Sequence, residues 1–299
     1  MKNYVIVTDS TADIPVELIE KLGVHVIPMS FEMEGRSYVH YPDEREMNLH
    51  EFYEKLRGGS NAVTTQINYV IYEEFFKDIL RQGKDILYIA FSSGLSGTYN
   101  NSQIVIRDVL EEFPDRKIIS IDSISASVGE GLLVCKAAEK KENGMDIEEL
   151  GRWVEENKDK VCHWFTVEDL HHLRRGGRIT TVEAIIGTTL GIKPLLSVDH
   201  EGQLTTVTKV RGKKKSLEIL IERMVEDGVD IENQRVFIGH GDNLEEAEKL
   251  AQLMKERNLV KEIIISEIGP IIGTHTGSGI IGLAFIGNKN LDYKMKNNK

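Results

Sequence analysis

The run Phe91-Ser92-Ser93-Gly94-Leu95-Ser96-Gly97-Thr98 concentrates hydroxyls and glycines in a turn between a strand-like stretch, Asp85 to Ala90, and a helix-like one. In α/β proteins, ligands sit at the carboxyl ends of buried strands. Glycine lets the backbone approach a bound group, serine donates hydrogen bonds, and the free N–H groups of a helix start favour an anion. This chemistry suits a guest that is acidic at one end. The plainer alternative is ordinary helix entry with a Ser or Thr cap. Three further polar segments stand beside predicted element ends, where sites collect. Asp9-Ser-Thr-Ala-Asp-Ile-Pro15 follows the first strand, with Asp13 placed to cap the next helix and Pro15 to begin it. Thr64-Thr65-Gln66 precedes a helix beginning at Asn68. Gly269-Pro-Ile-Ile-Gly-Thr-His275-Thr-Gly-Ser-Gly279 sets a histidine between two hydroxyls in a glycine-rich loop.

Familiar catalytic patterns do not account for these segments. A nucleophile elbow needs G-x-S-x-G, and Gly94-Leu-Ser96-Gly-Thr98 ends in threonine. Gly277-Ser-Gly279-Ile-Ile-Gly282 spells G-x-G-x-x-G, but so near the C-terminus that it leaves no room for the βαβ unit and its acidic ribose partner. No phosphate-binding P-loop occurs. His240, Asp242, Asp9, Asp13, Asp122 and His275 are metal-ligand types without a diagnostic spacing, so no metal and no cofactor are expected.

These loops need elements to position them, and composition bounds what those elements can be. The 299 residues suffice for two domains, and 40% hydrophobic with 28% charged residues is the composition of a water-soluble globular protein. No apolar stretch reaches the roughly 20 residues that span a bilayer, and the chain enters a strand at Tyr4 without a basic-then-apolar leader, so a cytoplasmic location without membrane insertion is expected. The two cysteines, Cys135 and Cys162, lie far apart, which excludes a disulfide framework. A formal net charge of −11 argues against general nucleic-acid binding, where phosphate neutralisation dominates affinity.

Strand-like runs near 4–8, 24–29, 85–91 and 117–121 alternate with helix-like ones near 17–21, 49–56, 69–81, 99–113 and 127–142. That alternation predicts a parallel sheet covered by helices. Gly35 to Pro42 reads as a small hairpin. After a helix at 147–157 and a strand at 161–166 the rhythm changes: strands at 193–198 and 204–210 flank the turn His200-Glu-Gly202, followed by helix, strand, helix, strand and a final strand over 279–286. The fold class is therefore α/β with two domains, an N-terminal parallel-sheet α/β domain (1–160) and a C-terminal α+β sandwich (161–288). Residues 289–299 form a tail, frayed from Asn288 onward. Two basic segments interrupt the acidic surface. Arg174-Arg175-Gly-Gly-Arg178 sits on a tight turn, and Arg211-Gly-Lys213-Lys214-Lys215 places cations at a helix start against its dipole, which suits docking to an acidic partner or phosphate as well as a solvated face.

Asp9 to Pro15, Thr64-Thr65-Gln66, Ser92 to Thr98, Leu173-Arg-Arg-Gly-Gly-Arg-Ile179, Ile192-Lys-Pro194 and Gly269 to Gly279 resemble, in order, the landmarks of the DegV family over nearly the whole chain. The chain departs from the family's T-S-Q-P at Ile67 and from its H-T-G-P-G at Ser278. The resemblance implies two α/β domains enclosing one long-chain fatty acid. It also implies service, as in some members, as the non-catalytic substrate-binding subunit of a bacterial fatty acid kinase, whose separate catalytic subunit makes acyl phosphate for phospholipid synthesis. By that resemblance the carboxylate contacts fall on Thr64, Thr65, Ser92, Ser93 and His275, and the tunnel on side chains such as Ile67, Ile185, Ile186, Leu190, Ile192 and Phe285. Kinase docking falls on Arg174, Arg175 and Arg178. The rival from another class is a hydrolase or acyl transferase for a lipid-like substrate, using Ser93 or Ser96 with His275. A third reading is a lipid-sensing regulatory module acting through the basic patches.

Overall fold

The computed structural model describes residues 3–168, 170–179 and 191–291. Its first half is built on four parallel strands: β1 (Tyr4–Asp9), β2 (Val24–Ile27), β6 (Asp85–Ala90) and β7 (Ile118–Asp122), in the order β2-β1-β6-β7. β1 and β6 are buried at every position, as expected of central strands covered on both faces. Helices α1 (Val16–Leu22), α3 (Tyr69–Arg81), α4 (Thr98–Glu112), α5 (Ser127–Glu142) and α6 (Ile147–Asn157) accompany them. Their starts are legible in the chain. The Asn68 side chain caps α3 by accepting from the Ile71 amide, and Asp146 with Glu149 forms a reciprocal capping box on α6.

A small antiparallel sheet stands apart from the parallel one. It consists of β3 (Met29–Met33), β4 (Arg36–His40) and β5 (Ala62–Thr65), in the order β4-β3-β5. The hairpin expected at 35–42 is β4 and its turn from β3. Thr64 and Thr65, expected in a loop, form the end of β5 and pair with Phe31 and Ser30. Helix α2 (Leu49–Arg57) packs nearby, burying Leu49, Phe52, Tyr53 and Leu56 along one face.

The second half carries a six-stranded mixed sheet. Its strands are β8 (Val161–Thr166), β9 (Ile192–Val198), β10 (Leu204–Arg211), β11 (Arg235–His240), β12 (Glu262–Glu267) and β13 (Ile281–Ile286). They lie in the order β10-β9-β8-β13-β11-β12, all antiparallel neighbours except β11 with β12. The short helix α7 (His171–Arg175), then α8 (Lys213–Asp227), α9 (Leu244–Glu256) and α10 (Pro270–Thr276) complete it. No helix among the described residues is long and apolar enough to cross a membrane.

A cut at residue 160 would leave one large sheet on each side, but the apolar interior crosses that line. Helix α5 is buried along most of its length and packs on β1 of the parallel sheet and on β8, β11 and β13 of the mixed one. Val128, Leu132 and Val134 share a cluster with Ile6, Leu87, Ile89 and Ile121 of the first sheet and with Phe237 and Ala284 of the second. A helix hydrophobic around most of its circumference is an interior helix. Residues 288 and 289 depart from the expected fraying. The Asn288 amide donates to the Asp227 carbonyl at 2.8 Å, and the ammonium of the buried Lys289 side chain donates to the Asp199 carbonyl at 3.1 Å.

Candidate functional site

The end of β6, strand β5, the start of α5, helix α10 and the inner face of β8 and β13 enclose a cavity of about 160 Å³. Its walls are mostly apolar, among them Phe91, Phe165, Leu173, Ile268, Ile272 and Ile280. The polar lining includes Thr64, Thr65, Gln66, Ser96, Arg178 and His275, and no Asp or Glu lines it among the described residues.

His275 is held by close packing. α10 begins with Pro270 in its first turn, and the Thr274 hydroxyl donates back to the Pro270 carbonyl at 2.7 Å. At Gly273 a Cβ would stand 2.7 Å from the Tyr53 hydroxyl oxygen, so glycine lets α10 lie directly on α2. At Gly176 a Cβ would overlap Nδ1 of His275, so the basic turn rests on the imidazole itself. Nε2 of His275 lies 3.0 Å from Oγ1 of Thr64, while Nδ1 is buried without a partner among the described residues. Burial, followed by the charges of Arg178, Arg175 and His172, pushes the His275 pKa down to about 4. The ring is therefore neutral at physiological pH and offers one donor and one acceptor. Arg178 is half-buried, and its guanidinium donates to the Leu95 and Gly176 carbonyls.

The structure brings Thr64, Thr65 and His275 to one cavity but not the two serines grouped with them. Ser92 is buried and donates to the Gly202 carbonyl at 2.8 Å; the exposed Ser93 donates to the Asp122 carboxylate. The reason is the turn between β9 and β10, which lies on this loop so closely that a Cβ on Gly94 would stand 2.6 Å from the Glu201 carbonyl oxygen. Ser96 lines the cavity instead, with its hydroxyl 2.9 Å from that of Thr98. His275 thus reaches Thr64, and no hydrogen bond joins it to Ser93 or Ser96 among the described residues.

Of the tunnel expectations, Ile67 is packed in the core of the first half, and Phe285 in the core behind the mixed sheet with Cys162 and Trp164. Ile192 opens β9 and does not line the cavity; Ile185, Ile186 and Leu190 lie outside the described residues. Arg174 and Arg175 are exposed, Arg175 donating to Asn61 at 2.6 Å, whereas Arg178, grouped with them for docking, lines the cavity. Sequence reasoning missed His163. It is a polar residue in a wholly buried strand, facing the cavity because Gly129 of α5 leaves room for its ring, and that placement between apolar neighbours was the available signal.

Asp13 does not cap α1. It adopts a left-handed conformation (φ 46°), and its carboxylate accepts from the Ser127 hydroxyl at 2.6 Å and the Gly269 amide at 2.9 Å, tying the first loop to α5 and α10. Asp9 and Glu130 meet through Thr11, whose Oγ1 is 2.5 Å from Asp9 and 2.9 Å from Glu130. One hydroxyl hydrogen cannot serve two carboxylates, and burial pushes both acids upward, so a proton is shared in this group.

The family model described as "uncharacterised protein, DegV family" matches residues 3–288. This chain belongs to the DegV family. It is 43% identical to a DegV domain-containing protein of Clostridium perfringens over 288 residues, 96% of this chain and 99% of the relative. Among solved structures it resembles a Thermotoga maritima protein described as revealing a fatty acid binding function, with 31% identity, a TM-score of 0.83 and coverage of 96% and 100% of the two chains. It also resembles DegV of Bacillus subtilis, described as a fatty acid binding protein, with 30% identity, a TM-score of 0.80 and the same coverage. The DegV fold, a parallel-sheet first half and a sheet-rich second half, is the one described above.

Proposed function

We propose that this chain binds one long-chain fatty acid in the cavity, with the carboxylate at the Thr64, Thr65 and His275 end, and presents it to a separate kinase subunit. The observation that carries the reading is the distribution of charge along the cavity: apolar walls, hydroxyls, the two neutral imidazoles of His163 and His275, one guanidinium, and no acidic residue in the described lining. The fatty acid binding described for the Thermotoga and Bacillus relatives supports it. Burying a tail of roughly 16 carbons at about 0.8 kcal/mol per CH₂ gains on the order of 12 kcal/mol before the costs of association, enough for a ligand to survive purification. Hydroxyl and imidazole contacts hold a carboxylate by charge-assisted hydrogen bonds while leaving an oxygen lone pair to attack the γ-phosphorus of ATP, with ADP leaving and acyl phosphate forming. Arg174 and Arg175, exposed on the turn that rests on His275, supply the docking surface. An ATP-dependent partner implies a cytoplasmic location for both proteins.

Native mass spectrometry followed by denaturing extraction tests the first part: one non-covalent fatty acid per chain is expected, and its content should fall in Thr64→Val and His275→Ala. An empty protein, or an acyl group covalently held on serine, overturns the proposal. Arg174→Ala should keep its lipid and slow acyl phosphate formation by the kinase subunit.

A further inference from the structure

A second cavity, of about 230 Å³, opens between β1, α1, β4 and the end of β12. Its charge is the reverse of the first. Asp9, Asp13, Glu17, Glu44 and Glu267 line it together with His40, and no Lys or Arg does among the described residues. Acidic residues alone do not make a site. His40 supplies the independent observation: it lines the cavity, is only 7% exposed, and its Nδ1 is buried without a hydrogen-bond partner among the described residues. A buried polar nitrogen left unpaired is costly, and a bound donor would satisfy it. The remaining wall is apolar, with Ile14, Ile19, Val26, Leu49 and Ile265. No set of three or more His, Cys, Asp or Glu residues among those described is arranged to hold a metal ion. The complementary guest is therefore an organic cation with N–H donors and a short apolar stem.

We propose that this second cavity binds a primary alkylamine, its ammonium among Asp13, Glu44, Glu267 and Nδ1 of His40 and its stem against Ile14, Ile19 and Ile265. Both halves of the chain supply groups, Asp13, His40 and Glu44 from the first and Glu267 from the second. Glu44 faces Glu267 closely enough that its charge adds to burial in raising the Glu267 pKa, a repulsion that an ammonium would relieve.

The test uses the purified full chain and n-butylammonium as probe, followed by amide NMR shifts around Ser10, His40 and Gly269. Saturable shifts are expected with butylammonium and not with n-butanol, which has the same stem without the charge. Glu267→Gln, which keeps an acceptor oxygen but removes its negative charge, should weaken the amine about tenfold, while leaving fatty acid content unchanged. Equal shifts with butanol, or affinity indifferent to both Glu267→Gln and Glu44→Gln, would overturn the assignment. So would Mn²⁺ broadening of the same amides that butylammonium does not displace, since it would assign the cavity to a metal.

Discussion

At the scale of single residues, the buried acids make claims that substitution can separate. If Glu130 is the protonated member of its group, Glu130→Gln preserves the pattern, since an amide can accept from Thr8 and donate to Thr11. Chemical denaturation at neutral pH should show a change within about 1 kcal/mol for Glu130→Gln, against roughly 2–5 kcal/mol for Glu130→Ala, which strands the buried Thr8 hydroxyl and opens a void while Thr11 keeps its bond to Asp9. A large loss in Glu130→Gln would mean an ionised Glu130. Asp13 bears on pH. Burial raises its carboxyl from the ordinary 3.8 to about 7, against the pull of its hydrogen bonds to Ser127 and Gly269. The folded protein thus keeps a proton that the unfolded chain releases. This contribution to stability is present below about pH 4 and lost as pH rises to 7, by about 1.4 kcal/mol per pH unit separating the two values. Asp13→Asn, tolerated in the left-handed region, should flatten the decline of melting temperature over that window; an unchanged slope would assign the decline to Asp9 and Glu130. The sequence pointed to Asp13 as a cap because local spacing is what a sequence displays. Its partner Gly269 is 256 positions away, and no local pattern announces it.

Among elements, the parallel strands and most helices were legible because full burial and 3.6-residue periodicity leave strong traces. β5 was not, because a four-residue strand with alternating exposure ending in two threonines reads as readily as a helix entry. α10 read as a loop because its one glycine and two threonines are weak helix formers; tertiary packing on α2 overrides that propensity. The glycine density around His275 is thus in part a packing requirement. Gly273→Ala, forcing a methyl toward Tyr53, should cost about 1–3 kcal/mol and displace α10. Differential scanning calorimetry and extracted lipid content check this together. Full stability with full lipid content would show that the helix has slack.

For the whole molecule, composition and alternation announced two sheets, but not that one helix would serve both. Domains with separate cores unfold separately, whereas halves joined by a continuous apolar interior unfold together. One calorimetric transition is expected despite the two large sheets, and two resolved transitions would show that the shared cluster around α5 contributes little to cooperativity.

The seating of His163 against Gly129 also bears on how the family can recombine. A chimera joined at Lys160 would set a foreign β8, β11 and β13 against this α5, and its success would turn on whether the incoming strand carries a side chain that fits the space beside Gly129 in place of the imidazole.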